Sequence, residues 1–383
     1  MKKIAVVLFN LGGPTDLRSV RPFLFNLFKD KAIINLPFFL RYPLAAFIAW
    51  KRNKTAQRIY KKLGGKSPLL EITNMQAEAL EKELSFETDN YKVFVSMRYW
   101  HPMSEEVVKH IKDYSPDQII MLPLYPQFST TTTASSFNDF TAQIEKQEIN
   151  AKLKYICCYP NNQQFIFSHL RLIKKAIKEV EHKKHKKYRL LFSAHGLPQS
   201  VVDQGDPYVE QINATADLII KELEKNLKIS SNAKSRIAKS RIDYKVCYQS
   251  KVGPTRWTGP SLDVEIARAG VDKKAVILIP IAFVSDHSET LVELDIEYKR
   301  MAKEKKVPLY LRVPALNDDG YFVKALLDIC KEAVKSDYNI LACNNTNKAF
   351  KCCPNKFKKC FAQSGGSIHI IGLEALYIFI LNN

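Results

Sequence analysis

Two series of apolar, β-branched runs, separated by helix-length spacers, constrain this chain more than any other feature of its sequence. IAVVLFN (4–10), KVFVSM (92–97), QIIMLPL (118–124) and KLKYICC (152–158) make the first series; YRLLFSA (188–194), YKVCYQ (244–249), AVILIPIAF (275–283) and VPLYLRV (307–313) make the second. Alternating with helical stretches such as PYVEQINATADLIIKELEKNL, these runs read as strands. Their near-continuous apolar character suits parallel strands covered by helices on both faces. The series share landmarks: VVLFNLGGP stands beside LLFSAHGLP at the first strand end, and IIMLPLYPQFST beside VILIPIAFVSDH at the third. The chain therefore reads as an internal duplication of one doubly wound α/β unit, each half holding a four-stranded parallel sheet. Residues 1–160 are expected to form the first domain and 161–313 the second. A capped amphipathic helix within 314–336 packs back to complete the first, and 337–383 form a cysteine-rich tail with an apolar end.

Sheets of this kind bind ligands beyond the carboxyl ends of their strands, and the chemistry-bearing residues fall there. His195 in SAHGLP directly follows a strand; it suits proton transfer or metal binding, or is a turn histidine satisfied by a carbonyl. In SDHSETLVELDIEYKR (285–300), Asp286, His287 and Glu289 follow the equivalent third strand, and Glu289, Glu293 and Glu297 recur every four residues. An α-helix turns about 100° per residue, so this row drifts by about 80° across eight residues. A wider helix aligns it, which predicts a π-type turn here. Aligned, the row is a file of oxygen ligands for a hard or borderline divalent cation moving toward His195; unaligned, it is a solvated acidic face. KVGPTRWTGP presents Trp257, either a packed anchor or one wall for a flat aromatic ligand. Tyr125 opens a hydroxyl-rich run at the third strand end of the first half. Leu11 lies in the glycine turn FNLGGP, which lacks the spacing of a dinucleotide site. Arg98, in SMRYWHP, is a natural partner for a ligand carboxylate.

Lys and Arg outnumber Asp and Glu by 58 to 39, a net charge of +19 that draws a protein toward anionic lipid, nucleic acid or acidic small molecules. The excess is spread along the chain rather than gathered in one stripe, which speaks against nucleic acid. MKKIAVVLFNLGGP has no cleavage site of a secretory signal, so a cytoplasmic location is expected. INLPFFLRYPLAAFIAW (34–50) is interrupted by Arg41 and two prolines and is short for a bilayer span. It fits a core-packed helix or an apolar lip that touches a membrane or admits an oily ligand. Four of the eight cysteines, Cys343, Cys352, Cys353 and Cys360, crowd the end of the chain, which argues for metal rather than disulfides in a cytosolic protein. Nothing in the sequence specifies an oligomeric state.

In order along residues 4–330, FNLGGP, GGKSPL, MRYWHP, LYPQFSTTTTASS, LFSAHGLPQSVVDQGDPY, YQSKVGPTRWTGP and IPIAFVSDHSETLVELDIEY resemble the ferrochelatase family. That resemblance implies two Rossmann-like domains of the chelatase fold with a porphyrin between them, and insertion of ferrous iron into protoporphyrin IX. It implies His195 and Glu289 as catalytic and metal-site residues. It implies Asp286, His287, Glu293 and Glu297 as the proton and metal path, on a helix that is π-like in the family. It implies Leu11, Arg98, Tyr125 and Trp257 as the lining of the porphyrin pocket. The nearest alternatives are a coproporphyrin III ferrochelatase, a cobalt chelatase of the same fold and a non-catalytic haem or metal carrier. Some relatives carry a cluster-binding cysteine in the YPQ-S motif, where this chain has Thr130. Others bind a [2Fe-2S] cluster through carboxyl-terminal cysteines, for which Cys343, Cys352, Cys353 and Cys360, joined by Cys158, are the candidates; free or zinc-binding thiols are the alternative.

Overall fold

The computed structural model describes residues 1–185, 187–230, 242–251, 256–342, 353–354 and 356–366, the side chains of 227–230 excepted. The first series of runs becomes β1 (Lys3–Asn10), β2 (Asn90–Met97), β3 (Gln118–Pro123) and β4 (Lys152–Cys158). The second becomes β5 (Tyr188–His195), β6 (Tyr244–Gln249), β7 (Ala275–Pro280) and β8 (Tyr310–Arg312), and a further strand, β9 (Ile340–Ala342), follows. They form two all-parallel sheets in the orders β2-β1-β3-β4-β9 and β6-β5-β7-β8. Leaving β9 aside, both follow one pattern, second-first-third-fourth, so the shared landmarks reflect a shared topology. The first sheet exceeds the expected four strands because β9, in the segment read as tail, adds to β4 across a register shift between Ile156 and Cys158. Three residues are too few for a period to show in sequence.

Burial explains the continuous apolar runs. Ile4 to Leu8 in β1 and Ala275 to Ile279 in β7 are wholly buried, as strands covered on both faces must be. The first sheet is interleaved with α1 (Val20–Phe28), α2 (Phe38–Lys61), α3 (Leu69–Leu84), α4 (Ser104–Tyr114), α5 (Thr133–Lys146) and α6 (Gln163–His182). The second carries α7 (Gln199–Asp203), α8 (Tyr208–Ser230), α9 (Leu262–Val271) and α10 (Lys299–Glu304). Helix α11 (Gly320–Lys335) packs on α3 and α6. Its start is fixed by the Asp319 carboxylate, which accepts from the Tyr321 and Phe322 amides. Its buried stripe of Phe322, Ala325, Leu326, Ile329 and Ala333 recurs every three or four residues, and truncating Leu326 to alanine there should cost about 3 kcal/mol.

No described helix is long and apolar enough to cross a membrane. Most of 34–50 enters α2, where Ala45, Ile48 and Ala49 are buried while Phe38, Phe39, Phe47 and Trp50 stand exposed. The core-packed reading holds for one face of this helix, and the other face leaves its aromatic side chains exposed.

Polar contacts tie the two halves together beside the strand ends. Ser285 Oγ donates to Gln76 Oε1 at 2.9 Å, and Gln76 Nε2 donates to the Asn317 carbonyl at 2.8 Å. Between β7 and α10 the chain forms a π-helix, Glu289–Tyr298, as the spacing of its carboxylates predicts. The wider turn brings residues four apart close to alignment.

Candidate active site

A cavity of about 420 Å³ opens at the carboxyl ends of the strands. Asn10, Leu11 and Gly12 reach it from β1, Tyr125 and Gln127 from β3, His195 and Gly196 from β5, and His287 and Glu289 from the segment after β7. Phe23, Leu27 and Phe28 of α1 and Leu44 and Ile48 of α2 add apolar wall, and Arg52 and Tyr60 of α2 add polar groups. Trp257 is held against the His195 turn: Thr258 N donates to Leu197 O at 2.9 Å, and Leu197 N to Thr258 Oγ1 at 3.0 Å. A Cβ on Gly196 would press within 3.2 Å of the indole and 3.1 Å of the Gln249 carbonyl, so this close passage favours glycine.

His195 Nδ1 lies 2.9 Å from Glu289 Oε2. His287 Nδ1 lies 3.0 Å from the Ser285 carbonyl, which can only accept, so Nδ1 carries the proton and Nε2 faces Glu289 Oε1 at 3.8 Å. Burial alone would lower the His195 pKa, but the Glu289 carboxylate and, more weakly, Glu293 raise it above the usual histidine value. Burial would likewise raise that of Glu289, yet His195 and His287 hold it well below the carboxylate range. The resting pair is thus imidazolium and carboxylate. One turn outward, burial and the Glu289 charge push Glu293 up to about 7, against a hydrogen bond from Ser250 Oγ at 2.7 Å. Gln249 bridges the two carboxylates from a distance, its Nε2 3.5 Å from Glu289 Oε2 and 3.4 Å from Glu293 Oε2, while its Oε1 accepts from Ser193 Oγ at 2.7 Å. Glu297 ends the row in solvent, 3.7 Å from Lys62 Nζ.

Two expected residues sit elsewhere. Asp286 is drawn away from the row by Arg312, 2.9 Å from its Oδ1, and by Asn317 Nδ2, 3.0 Å from its Oδ2. Arg98 is not among the cavity-lining residues; its guanidinium meets Asp30 at 2.8 Å, Ser135 Oγ at 2.7 Å and Asp139 at 3.4 Å. Arg52 is the lysine-or-arginine cation that lines the cavity among the described residues, and sequence reading passed over it because it stands among the surface lysines of an amphipathic helix. Gln249 and Ser250 were also missed, although they directly precede KVGP at a strand end.

Cys157, Cys158, Cys353 and Cys360 are buried in one apolar cluster behind α5, and Cys343 and Cys352 lie outside the described residues. Gln211 Nε2 donates to Cys353 Sγ at 3.0 Å and to Cys158 Sγ at 3.5 Å. Hydrogen bonds from Cys157 and Cys353 lower the pKa of the Cys360 thiol against the opposing effect of burial. Among the described residues no group of three or more His, Cys, Asp and Glu side chains is arranged to hold a metal ion.

A sequence profile of the ferrochelatase family matches residues 3–334. The ferrochelatase of Rickettsia bellii (strain OSU 85-389) is 48% identical over 362 residues, covering 94% of this chain and 95% of that protein. That of Wolbachia pipientis wMel is 48% identical over 331 residues, covering 86% and 99%. Among solved structures, SirB from Bacillus subtilis with Fe3+ superposes with a TM-score of 0.49 at 11% identity, over 88% of this chain and 96% of that one. With a profile spanning both duplicated halves and relatives near half identity along almost their whole lengths, this chain belongs to the ferrochelatase family.

Proposed function

We propose that this protein inserts ferrous iron into protoporphyrin IX to give protohaem, the last step of haem biosynthesis, acting as a lyase that forms metal–nitrogen bonds. The observation that carries the reading is the direction of the acidic row, which runs from solvent at Glu297 through Glu293 to the Glu289–His195 pair inside an apolar cavity. Two pyrrole protons leave as Fe(II) enters, so charge balances only if the site exports protons while it imports metal. Carboxylates hold a borderline dication loosely enough to pass it on. His195 is the residue that meets the pyrrole protons; it is relieved of its own proton through Glu289, and Glu293, near 7, accepts and releases protons at neutral pH. Leu11, Tyr125 and Trp257 bracket the macrocycle, and a pocket that favours a distorted ring exposes its nitrogen lone pairs and lowers the barrier. Arg52 is the group suited to a ring carboxylate, with Arg98 buttressing the wall behind. In this reading the porphyrin lies between domain 1–160, completed by 314–336, and domain 161–313.

Anaerobic mixing with Fe(II) and protoporphyrin IX, followed by the porphyrin spectrum, tests the proposal. Wild-type protein should make many equivalents of haem, while Glu289→Gln and His195→Ala stall yet stay folded. A single stoichiometric equivalent would indicate a haem or metal carrier instead. Preference for coproporphyrin III, or for Co(II) with a corrin precursor, would assign a sibling reaction of the same fold.

The buried thiols fit a [2Fe-2S] cluster in chemistry: neighbouring thiols favour the thiolate form of Cys360, and Cys158 and Cys353 lie within reach of one amide. Cys343 or Cys352 would complete the four ligands, and the cluster would brace the tail against the first sheet. Protein purified without oxygen that shows neither visible charge-transfer absorption nor acid-labile sulfide would refute it, leaving free or zinc-binding thiols. The exposed aromatic face of α2, set among lysines and arginines, suits peripheral contact with anionic lipid at the inner face of a membrane from the cytoplasm. Flotation with anionic liposomes reads that contact directly.

A further inference from the structure

π-Helices usually last a single turn, so one of ten residues needs its surroundings to hold it. Strand β8, the three-residue edge of the second sheet, supplies the hold. Tyr310 donates its hydroxyl proton to the Leu294 carbonyl at 2.8 Å. Arg312 grips the Asp295 carboxylate with Nε and Nη2, each at 2.7 Å, and gives Nη1 to Asp286 Oδ1 at 2.9 Å. One guanidinium thereby joins the residue that enters the helix to one in its second half. Asn317 closes the bracket: its Nδ2 donates to Asp286 Oδ2 at 3.0 Å and its Oδ1 accepts from Asp286 N at 2.9 Å. The Arg312 and Asp286 side chains are only 8% and 10% exposed, which places this pairing in the regime where planar, bidentate geometry counts.

The division of the acids follows. Asp286 and Asp295 are occupied by the clamp, while Glu289, Glu293 and Glu297 remain to form the row. Resting on the reading that the row delivers iron, we propose that Arg312 and Tyr310 are positioning residues that fix the winding of the π-helix and so the alignment of Glu289, Glu293 and Glu297. Released from the clamp, the segment relaxes toward ordinary α-helical winding, and fanning of about 40° per four residues carries Glu293 away from Ser250 and Gln249. Iron delivery should then suffer while the porphyrin cavity, to which this helix contributes only its first residue, Glu289, persists.

Tyr310→Phe removes one hydrogen bond and almost no volume; Arg312→Gln removes the clamp. Both should accelerate amide hydrogen exchange across 289–298 and raise the KM for Fe(II) by about tenfold, with the porphyrin KM unchanged. Should Arg312→Gln fail to fold because it strands the buried Asp286 carboxylate and frees Asp295 from its partner, the triple variant Asp286→Asn, Asp295→Asn, Arg312→Gln carries no charge there and answers the same question. Unchanged exchange overturns the proposal, and so does faster exchange with an unchanged Fe(II) KM, which would reduce the clamp to structural support. Failure of the underlying functional reading is separately visible, as wild-type protein that forms no haem.

Discussion

Ser250→Ala is a small change with a calculable consequence at Glu293. The position of Glu293 near 7 is a balance in which burial and the Glu289 charge push upward while the Ser250 hydroxyl and His195 pull downward. Ser250 has φ 62°, so alanine rather than a β-branched residue is the substitution of choice. A hydrogen bond to an ionised group is worth about 1.5–3 kcal/mol. Glu293 is partly open to water, which replaces some of the lost stabilisation, so about 1.4 kcal/mol should remain, or one pKa unit. The hydroxyl stabilises the carboxylate form, so its loss moves the pKa up. If Glu293 must be ionised to accept a proton, the acid limb of the kcat/KM profile for iron insertion shifts up by about one unit. The rate near pH 6 then falls by about tenfold while that near pH 9 is preserved. Anaerobic initial rates across this range for wild type, Ser250→Ala, Glu293→Gln and the double variant provide the measurement. An unmoved limb, a limb moved to lower pH, or the same shift in the Glu293→Gln background would each refute the reasoning. The stability counterpart has a definite sign as well. With a folded pKa of about 7 above the ordinary 4.5, Glu293 favours folding at low pH and loses that contribution as pH rises through about 7, so Glu293→Gln should flatten stability across this window.

Two further substitutions test residues outside the row. His169 packs edge-on to Phe165 with ring centroids 4.9 Å apart, and burial pushes its pKa from 6.5 down to about 3. The unfolded chain binds a proton there that the folded one refuses, so stability is lost as pH falls through that window, about 2 kcal/mol near pH 5 relative to pH 8. His169→Leu should remove that component in urea unfolding at the two pH values; parallel losses in both proteins would count against it. Arg98→Met strands the buried Asp30 carboxylate and should cost about 3–5 kcal/mol in thermal unfolding, largely restored by adding Asp30→Asn. A fully stable Arg98→Met that has lost porphyrin binding would return Arg98 to the pocket.

Much of this architecture was legible because its signals are local. Strand runs, the turn after each strand and the four-residue spacing of Glu289, Glu293 and Glu297 are short-range patterns, and they led to β1 to β8, to His195 and Trp257 at the cavity and to the π-helix. The misses are long-range. Nothing near Asp286 announces that Arg312, twenty-six positions on, will take it, or that Asp30 will claim Arg98 across sixty-eight residues. Which partner a charge finds is decided by topology, and spacing carries no information about it. Arg52 and the aromatic residues of α1 were invisible for the opposite reason: amphipathic helices contain such residues everywhere, and only packing shows which of them face a cavity.

The like charges stacked along 289–297 call for an account of why the row tolerates itself, and each member has a different answer. Glu289 is neutralised by protonated His195, Glu293 is partly protonated at neutral pH, and Glu297 stands in water beside Lys62. Protons and one surface ammonium therefore supply, in the resting protein, the positive charge that repulsion demands. On the proposed function, a divalent cation moving inward replaces them one turn at a time. As it approaches Glu293 its charge lowers that pKa and expels the proton outward; as it approaches Glu289 it weakens the hold of the carboxylate on the His195 proton and frees the imidazole to act as a base. If the proposed roles hold, metal entry and base activation are one event, so a variant that keeps the row but neutralises its middle, Glu293→Gln, should slow proton release and iron entry together rather than separately.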